Sequence, residues 1–230
     1  MSDVQPGQPI DIHPLQAHEA PAFATLQRRV FPYYNSSRLG QRFCTALYRA
    51  YALRPDAYGF GAWQGGTLVG LIIACQRDVE AAIQRTLRRH AVAATIVRPH
   101  LLFRGTIVRR ALRFIGRRHA TSAPLLPGEA PVDATCIRFV TMGVAPEARR
   151  KGVAARLTQT MYTEALRHGF RYAESNVYVT NHPQRTLREK MGWVPGAEPP
   201  DGCGSVRYSI DLNRALSHTA ATADDQGSTA

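Results

Sequence analysis

The chain has 230 residues, 44% of them hydrophobic, enough to bury the core of one enlarged domain or of one domain with an appendage. Lys plus Arg outnumber Asp plus Glu by 29 to 17, and all but Lys151 and Lys190 of these bases are arginines. This argues against disorder outside the ends, and the excess charge favours an anionic partner: a phosphorylated cofactor, nucleic acid, an acidic protein or lipid headgroups.

Met1 to Asp11 lacks a basic start and an apolar run, so no export signal is expected, and no window approaches the roughly 18–20 apolar residues of a membrane span. Residues 9–13 alternate apolar and polar as a first short strand. Leu15 to Val30 suits a helix, and Phe31-Pro32-Tyr33-Tyr34-Asn35 breaks it. Ser36 or Ser37 is expected to cap a second helix with Leu39, Phe43, Leu47 and Tyr51 on one stripe. Tyr58 to Trp63, a Gln64-Gly65-Gly66 turn and Thr67 to Cys75 read as a hairpin.

Residues 76–132 differ in character. They hold eleven arginines against three acids, a net +8, with helical stripes at Val79, Ile83, Leu87 and at Leu101, Val108, Leu112, Ile115. Residues 119–132, with three prolines, read as a loop back, so 76–132 is an insertion. Strand pattern returns from Thr135 to Val144, helix from Arg150 to His168, strand from Arg171 to Thr180 and a short helix over 183–191. Trp193 and Val206–Leu212 complete the strands, leaving 214–230 as a small, polar, disordered tail. Cys44, Cys75, Cys136 and Cys203 stand far apart without CxxC spacing. They read as free thiols of a reducing cytoplasm, and no metal is expected.

The chemistry concentrates in Val144-Ala145-Pro146-Glu147-Ala148-Arg149-Arg150-Lys151-Gly152-Val153-Ala154. A strand enters a turn and a helix begins at a glycine that lets a ligand approach the backbone. Unpaired N–H groups of the first helical turn, with three bases beside them, form a phosphate cradle. Neither the GxxxxGK[ST] loop nor the GxGxxG fingerprint is present.

Arg149-x-x-Gly152-x-Ala154 resembles the [RQ]-x-x-G-x-[GA] signature of the GNAT superfamily, the Gcn5-related N-acetyltransferases. Asn181, followed eight residues later by Glu189-Lys190-Met191-Gly192-Trp193, is similar to that family's downstream ending. The likeness covers about 9–75 and 133–212. It implies a mixed α/β (α+β) fold with a central sheet of six to seven strands, splayed between the fourth and fifth and carrying the helical insertion. The implied layout is one acyltransferase domain over 1–213, with 76–132 inserted.

The implied activity is transfer of an acetyl or longer acyl group from acetyl-CoA or another acyl-CoA to an amine. Met142, Gly143, Val144, Arg149, Arg150, Lys151, Gly152, Val153, Ala154 and Asn181 would form the cofactor site, with backbone N–H near Met142–Val144 facing the thioester carbonyl. A tyrosine acid that many members place seven residues after the asparagine is here Arg188, and a glutamate base of some branches is here Arg138. An arginine is no base at neutral pH. Either could stabilise a thiolate, bind a substrate anion or pair with an acid such as Glu174 or Glu189.

With Ser175, Val177 and Val179 inward, Asn176, Tyr178 and Thr180 would face the cleft. Tyr178 is then a candidate acid, and His182, with an imidazole of suitable range, another. Asn181 joins Tyr178, Arg188 and Arg138 as a catalytic candidate. Asn176 could bind substrate, as could Tyr33 and Tyr34 beside the helix break. The insertion could pack on the sheet, line a pocket for a longer acyl chain, or meet an acidic partner such as an acyl carrier protein. Medium- or long-chain transfer and a non-catalytic coenzyme A-binding role are therefore the alternatives. Nucleic acid is not favoured, for no recognition motif accompanies the charge.

Overall fold

The computed structural model of the protein describes residues 8–88, 90, 131, 133, 135–198 and 204–216. The second helical stripe of the insertion and Cys203 lie outside them. The first strand, β1, spans Asp11–Pro14. A 3-10 turn at Ala17–Glu19 leads into α1, Ala20–Val30, whose buried stripe is Phe23, Ala24, Leu26 and Gln27.

The expected second helix divides in two. A short α2, Asn35–Arg38, is separated from α3, Gln41–Ala52, by Gly40 at φ +96°. That backbone region suits glycine and stops a right-handed helix. Gly40, not a serine, precedes α3, and Cys44 N–H donates to its carbonyl at 3.1 Å. The buried face is Cys44, Tyr48 and Tyr51, with Phe43 and Leu47 flanking it.

Strands β2, Ala57–Gln64, and β3, Thr67–Cys75, form the expected hairpin. Gly65 and Gly66 both take positive φ, +57° and +73°, as the tight primed turn requires. Helix α4, Arg77–Thr86, follows β3 and seats Val79, Ile83 and the following Leu87 in the core, the stripe expected from the sequence.

Strand β4, Cys136–Val144, runs to a 3-10 turn at Pro146–Ala148 and then to α5, Val153–Arg167. Strand β5, Tyr172–Tyr178, α6, His182–Lys190, β6, Val194–Pro195, and β7, Ser205–Asp211, follow. Trp193 precedes β6 and packs in the core. Helical backbone continues to residue 216, and Ala215 is buried, so the first residues assigned to the tail belong to the fold. Among the described residues no helix is long and apolar enough to cross a membrane.

The seven strands form one mixed sheet in the order β1-β2-β3-β4-β5-β7-β6. Neighbours are antiparallel except β4 and β5, which run parallel. The sheet is the expected mixed α/β architecture, with its one parallel junction at the centre.

Candidate functional site

The parallel junction is short. Strands β4 and β5 pair only from Cys136↔Tyr172 to Phe139↔Ser175, although β4 continues to Val144 and β5 to Tyr178. Beyond the Phe139–Ser175 rung the two strands part, opening the middle of the sheet. A β-bulge marks the same place. Ile73 faces Thr141 and Ala74 faces Phe139, so Val140 is an extra residue on β4.

The bulge resets which side chains share a face. Phe139 and Met142, three apart, both turn toward the α5 side: Phe139 meets Tyr162 and Trp193, and Met142 Sδ lies 3.3 Å from Thr158 Oγ. Arg138 and Gly143 turn the other way. Arg138 meets Glu80 of α4, and a Cβ on Gly143 would come within 2.8 Å of the Phe31 ring at the end of α1. Gly143 is thus a close approach, without which the helix end could not rest on the strand.

The bulge and ladder also orient the backbone. Ala145 N–H donates to Val69 O at 2.8 Å, which sets the phase of the β3–β4 ladder. Residues 141, 143 and 145 bond toward β3, and the N–H groups of Met142 and Val144 point into the opening. Val144 O on that side accepts from Arg149 Nε at 3.2 Å, which folds the loop back on the strand end. Arg29 holds the same loop through both Glu147 oxygens at 2.8 and 2.9 Å.

The loop ends in two left-handed residues, Arg150 at φ +60° and Gly152 at φ +73°. Gly152 precedes α5, no side chain caps that end, and the first bond into the helix is Arg156 N–H to Gly152 O. The N–H groups of Gly152, Val153 and Ala154 have no acceptor among the described residues. A Cβ on Gly152 would project into open space with nothing within 4 Å, where the loop surface is exposed beside Arg149, Arg150 and Lys151. Three free donors, a helix's positive end and three bases suit a phosphate, and the open side of Gly152 gives it room.

The acid and base candidates fall on different faces. Tyr178, 42% exposed, lies edge-on to Tyr34 at 6.2 Å, and Tyr34 stacks on Phe31 at 4.6 Å. Burial, then neighbouring Tyr178, raises the Tyr34 phenol above its usual range, so it stays neutral at pH 7. Asn176 is exposed on this same α1 side, and Tyr33, 80% exposed, lies beside Tyr34 in the chain. His182 begins α6 and is exposed. Asn181 caps α6: its Oδ1 accepts from Gln184 N–H and its Nδ2 donates to Gln184 Oε1 at 2.8 Å.

The two arginines separate. Arg138 is ion-paired with Glu80 at 3.3 Å. Arg188 is 1% exposed on the α5–α6 face, over Trp193 at 4.2 Å and Phe139 at 5.6 Å. Burial lowers its guanidinium to about 10, which leaves it charged at neutral pH. Glu174 was a possible partner for either. It is instead taken by Arg77 and by Arg207, the latter at 2.8 Å, while Glu189 accepts from Tyr208. The Glu174 cluster was not legible from spacing, because its arginines come from α4 and β7, far away in the chain.

Buried thiols at Cys44, Cys75 and Cys136 are free, and burial pushes them up to about 11, 12 and 12, so they stay protonated and are poor nucleophiles. Among the described residues no group of three or more His, Cys, Asp or Glu could hold a metal ion.

The model of the acetyltransferase (GNAT) family matches residues 116–193, the stretch that holds β4, the loop, α5, β5 and α6. Solved structures of similar shape include the ribosomal-protein-S18-alanine N-acetyltransferase from Escherichia coli, 12% identical with a TM-score of 0.53, covering 89% of this chain and 94% of that one. The PaiA N-acetyltransferase from Thermoplasma acidophilum in complex with coenzyme A is 10% identical, with a TM-score of 0.55 and coverage of 88% and 99%. An aminoglycoside N-acetyltransferase in complex with coenzyme A is 12% identical, with a TM-score of 0.55 and coverage of 84% and 93%. The family likeness is that of residues 116–193. At such identities the structural likeness speaks for the GNAT fold alone. The search of curated proteins finds no match.

Proposed function

We propose that the protein is a coenzyme A-dependent N-acyltransferase that moves an acetyl or longer acyl group to an amine by direct attack on the thioester. The observation that carries this reading is the strand opening above Phe139–Ser175, joined to a helix N-terminus with free donors at Gly152, Val153 and Ala154. The coenzyme A complexes among the similar folds support the donor.

The GNAT-type loop would take the pyrophosphate on its N–H groups, with Arg149, Arg150 and Lys151 adding charge. Met142 and Val144 N–H would hold the acyl carbonyl, and the same donors would stabilise the oxyanion that forms on attack. The amine would approach from the α1 face, past Tyr33, Tyr34, Asn176 and Tyr178, so that nitrogen and carbonyl meet inside the opening. Tyr178 then orients the acceptor. Tyr178→Phe should raise the acceptor KM or slow transfer, and wild-type kinetics would remove it from the site. We assign residues 1–216 to one domain with 76–132 inserted, working in the cytoplasm, where the buried free thiols suit a reducing medium.

The test is calorimetric titration of the purified protein with acetyl-CoA and decanoyl-CoA. Gly152→Glu puts a carboxylate into the cradle at a left-handed residue. Losing one or two charge-assisted bonds should weaken coenzyme A binding roughly 10–100-fold. Unchanged affinity would sink the cradle. Much tighter decanoyl-CoA binding would favour the long-chain reading.

A further inference from the structure

We propose that Arg188 is the receptor for an anion that the acyl donor presents at the apex of the opening between β4 and β5. The proposal rests on the acyltransferase reading and extends it to a residue with a defined job.

Among the described residues Arg188 is the largest fully buried side chain. Among the described residues its side chain has one hydrogen bond, a long one, Nη2 to Ser175 Oγ at 3.4 Å, and Nε and Nη1 meet no partner. Among the described residues no carboxylate lies within 4 Å of it. An isolated buried charge is costly, and stacking on the Trp193 and Phe139 faces recovers only part of that cost. The fold therefore carries an unbalanced cation, and a bound anion would balance it.

Position says which partner brings that anion. Ser175 and Phe139, the two residues Arg188 touches across the sheet, form the last rung before the strands part. Arg188 lies on the α5–α6 face, which it shares with Met142 and with the loop that begins α5. That is the donor's side. An anionic acceptor would come from the opposite face, where Arg77, Arg138 and Arg207 already stand.

A donor can bring two anions there. One is the thiolate: the amine nitrogen bonds to the carbonyl carbon, the C–S bond breaks with its electron pair on sulfur, and the ammonium proton passes to water. Arg188 stays protonated and holds the departing sulfur by charge and Nε or Nη1 donation. The other is a carboxylate at the far end of a dicarboxylic acyl group. Both would fill the same unpaired donors.

Calorimetric titration separates them. Wild type, Arg188→Gln and Arg188→Lys are titrated with coenzyme A, desulfo-coenzyme A, acetyl-CoA and succinyl-CoA at pH 7 and pH 9. For a thiolate receptor, wild type binds coenzyme A about 10–100-fold more tightly than the desulfo form at pH 9. Arg188→Gln erases that ratio, and Arg188→Lys keeps part of it. For a carboxylate receptor, succinyl-CoA outbinds acetyl-CoA by a similar factor in wild type and not in Arg188→Gln. Ratios between ligands on one preparation are insensitive to any loss of folded protein. If all ratios in Arg188→Gln match wild type, the receptor assignment is overturned while coenzyme A binding stands. If wild type binds none of the four, the acyltransferase reading falls as well.

Discussion

Two buried charges border the central opening, and the fold treats them oppositely. Glu174, on the α4 face of β5, is held by Arg77 and Arg207 and pairs in register with Arg138. Arg188, reaching Ser175 on the other face one residue along, has two donors with no partner among the described residues. The first face is internally neutralised and joins α4 to the sheet through crossed pairs, Arg77 to Glu174 and Arg138 to Glu80. The second is left unbalanced where the strands part. A charge satisfied within the fold reads as architecture, and a charge left unsatisfied reads as a place for something else.

The largest effect that would break this contrast is on stability. Glu174→Ala strips the shared acid from two arginines, one of them largely buried, and should cost about 3–5 kcal/mol in denaturant unfolding. Arg188→Met removes a charge that has no partner and keeps an apolar stem against Trp193 and Phe139. It should leave stability unchanged or raise it by about 1–2 kcal/mol. A loss in Arg188→Met as large as in Glu174→Ala would make Arg188 a structural cation held by its aromatic neighbours.

A smaller effect follows acidification. Burial pushes the Glu174 carboxyl up, but the hydrogen bonds from Arg77 and Arg207 outweigh it and hold the group below its usual range. Its contribution is therefore complete above the unfolded carboxylate value, roughly pH 4.3, and is lost as pH falls through the lower folded value. Unfolding free energy should drop across that window in wild type. Glu174→Gln, which cannot titrate, should show a flatter profile. Equal slopes would mean that the pair is not formed in solution.

Local pattern made the order of elements and the loop legible. Alternation marked β1, strand-like runs marked β3 and β4, glycines marked the hairpin turn, and the bases before Gly152 marked the cradle. The division at Gly40 was missed because four-residue apolar spacing runs through it unbroken. The bulge at Val140 was hidden for a related reason. Phe139, Val140 and Met142 are all apolar, so one extra residue among them leaves no mark in the pattern. Arg188 stands out as a candidate from its spacing to Asn181. That it lacks a partner depends on acids elsewhere being taken, which only tertiary packing decides.

Arg138 gives the finest test of the contrast, for it belongs with the satisfied set. Its side chain is 25% exposed and its partner Glu80 15%, at 3.3 Å. Such a half-buried pair should be worth about 0.5–1 kcal/mol. Arg138→Gln and Glu80→Gln should each lower stability by about that much, and the double variant should cost no more than either single one. Strict additivity would show that the two side chains do not interact. If pairing is all that Arg138 does, the acceptor KM of Arg138→Gln stays at the wild-type value. A raised KM with unchanged kcat would instead move Arg138 to the acceptor, and the α4 face would then hold an unsatisfied charge of its own.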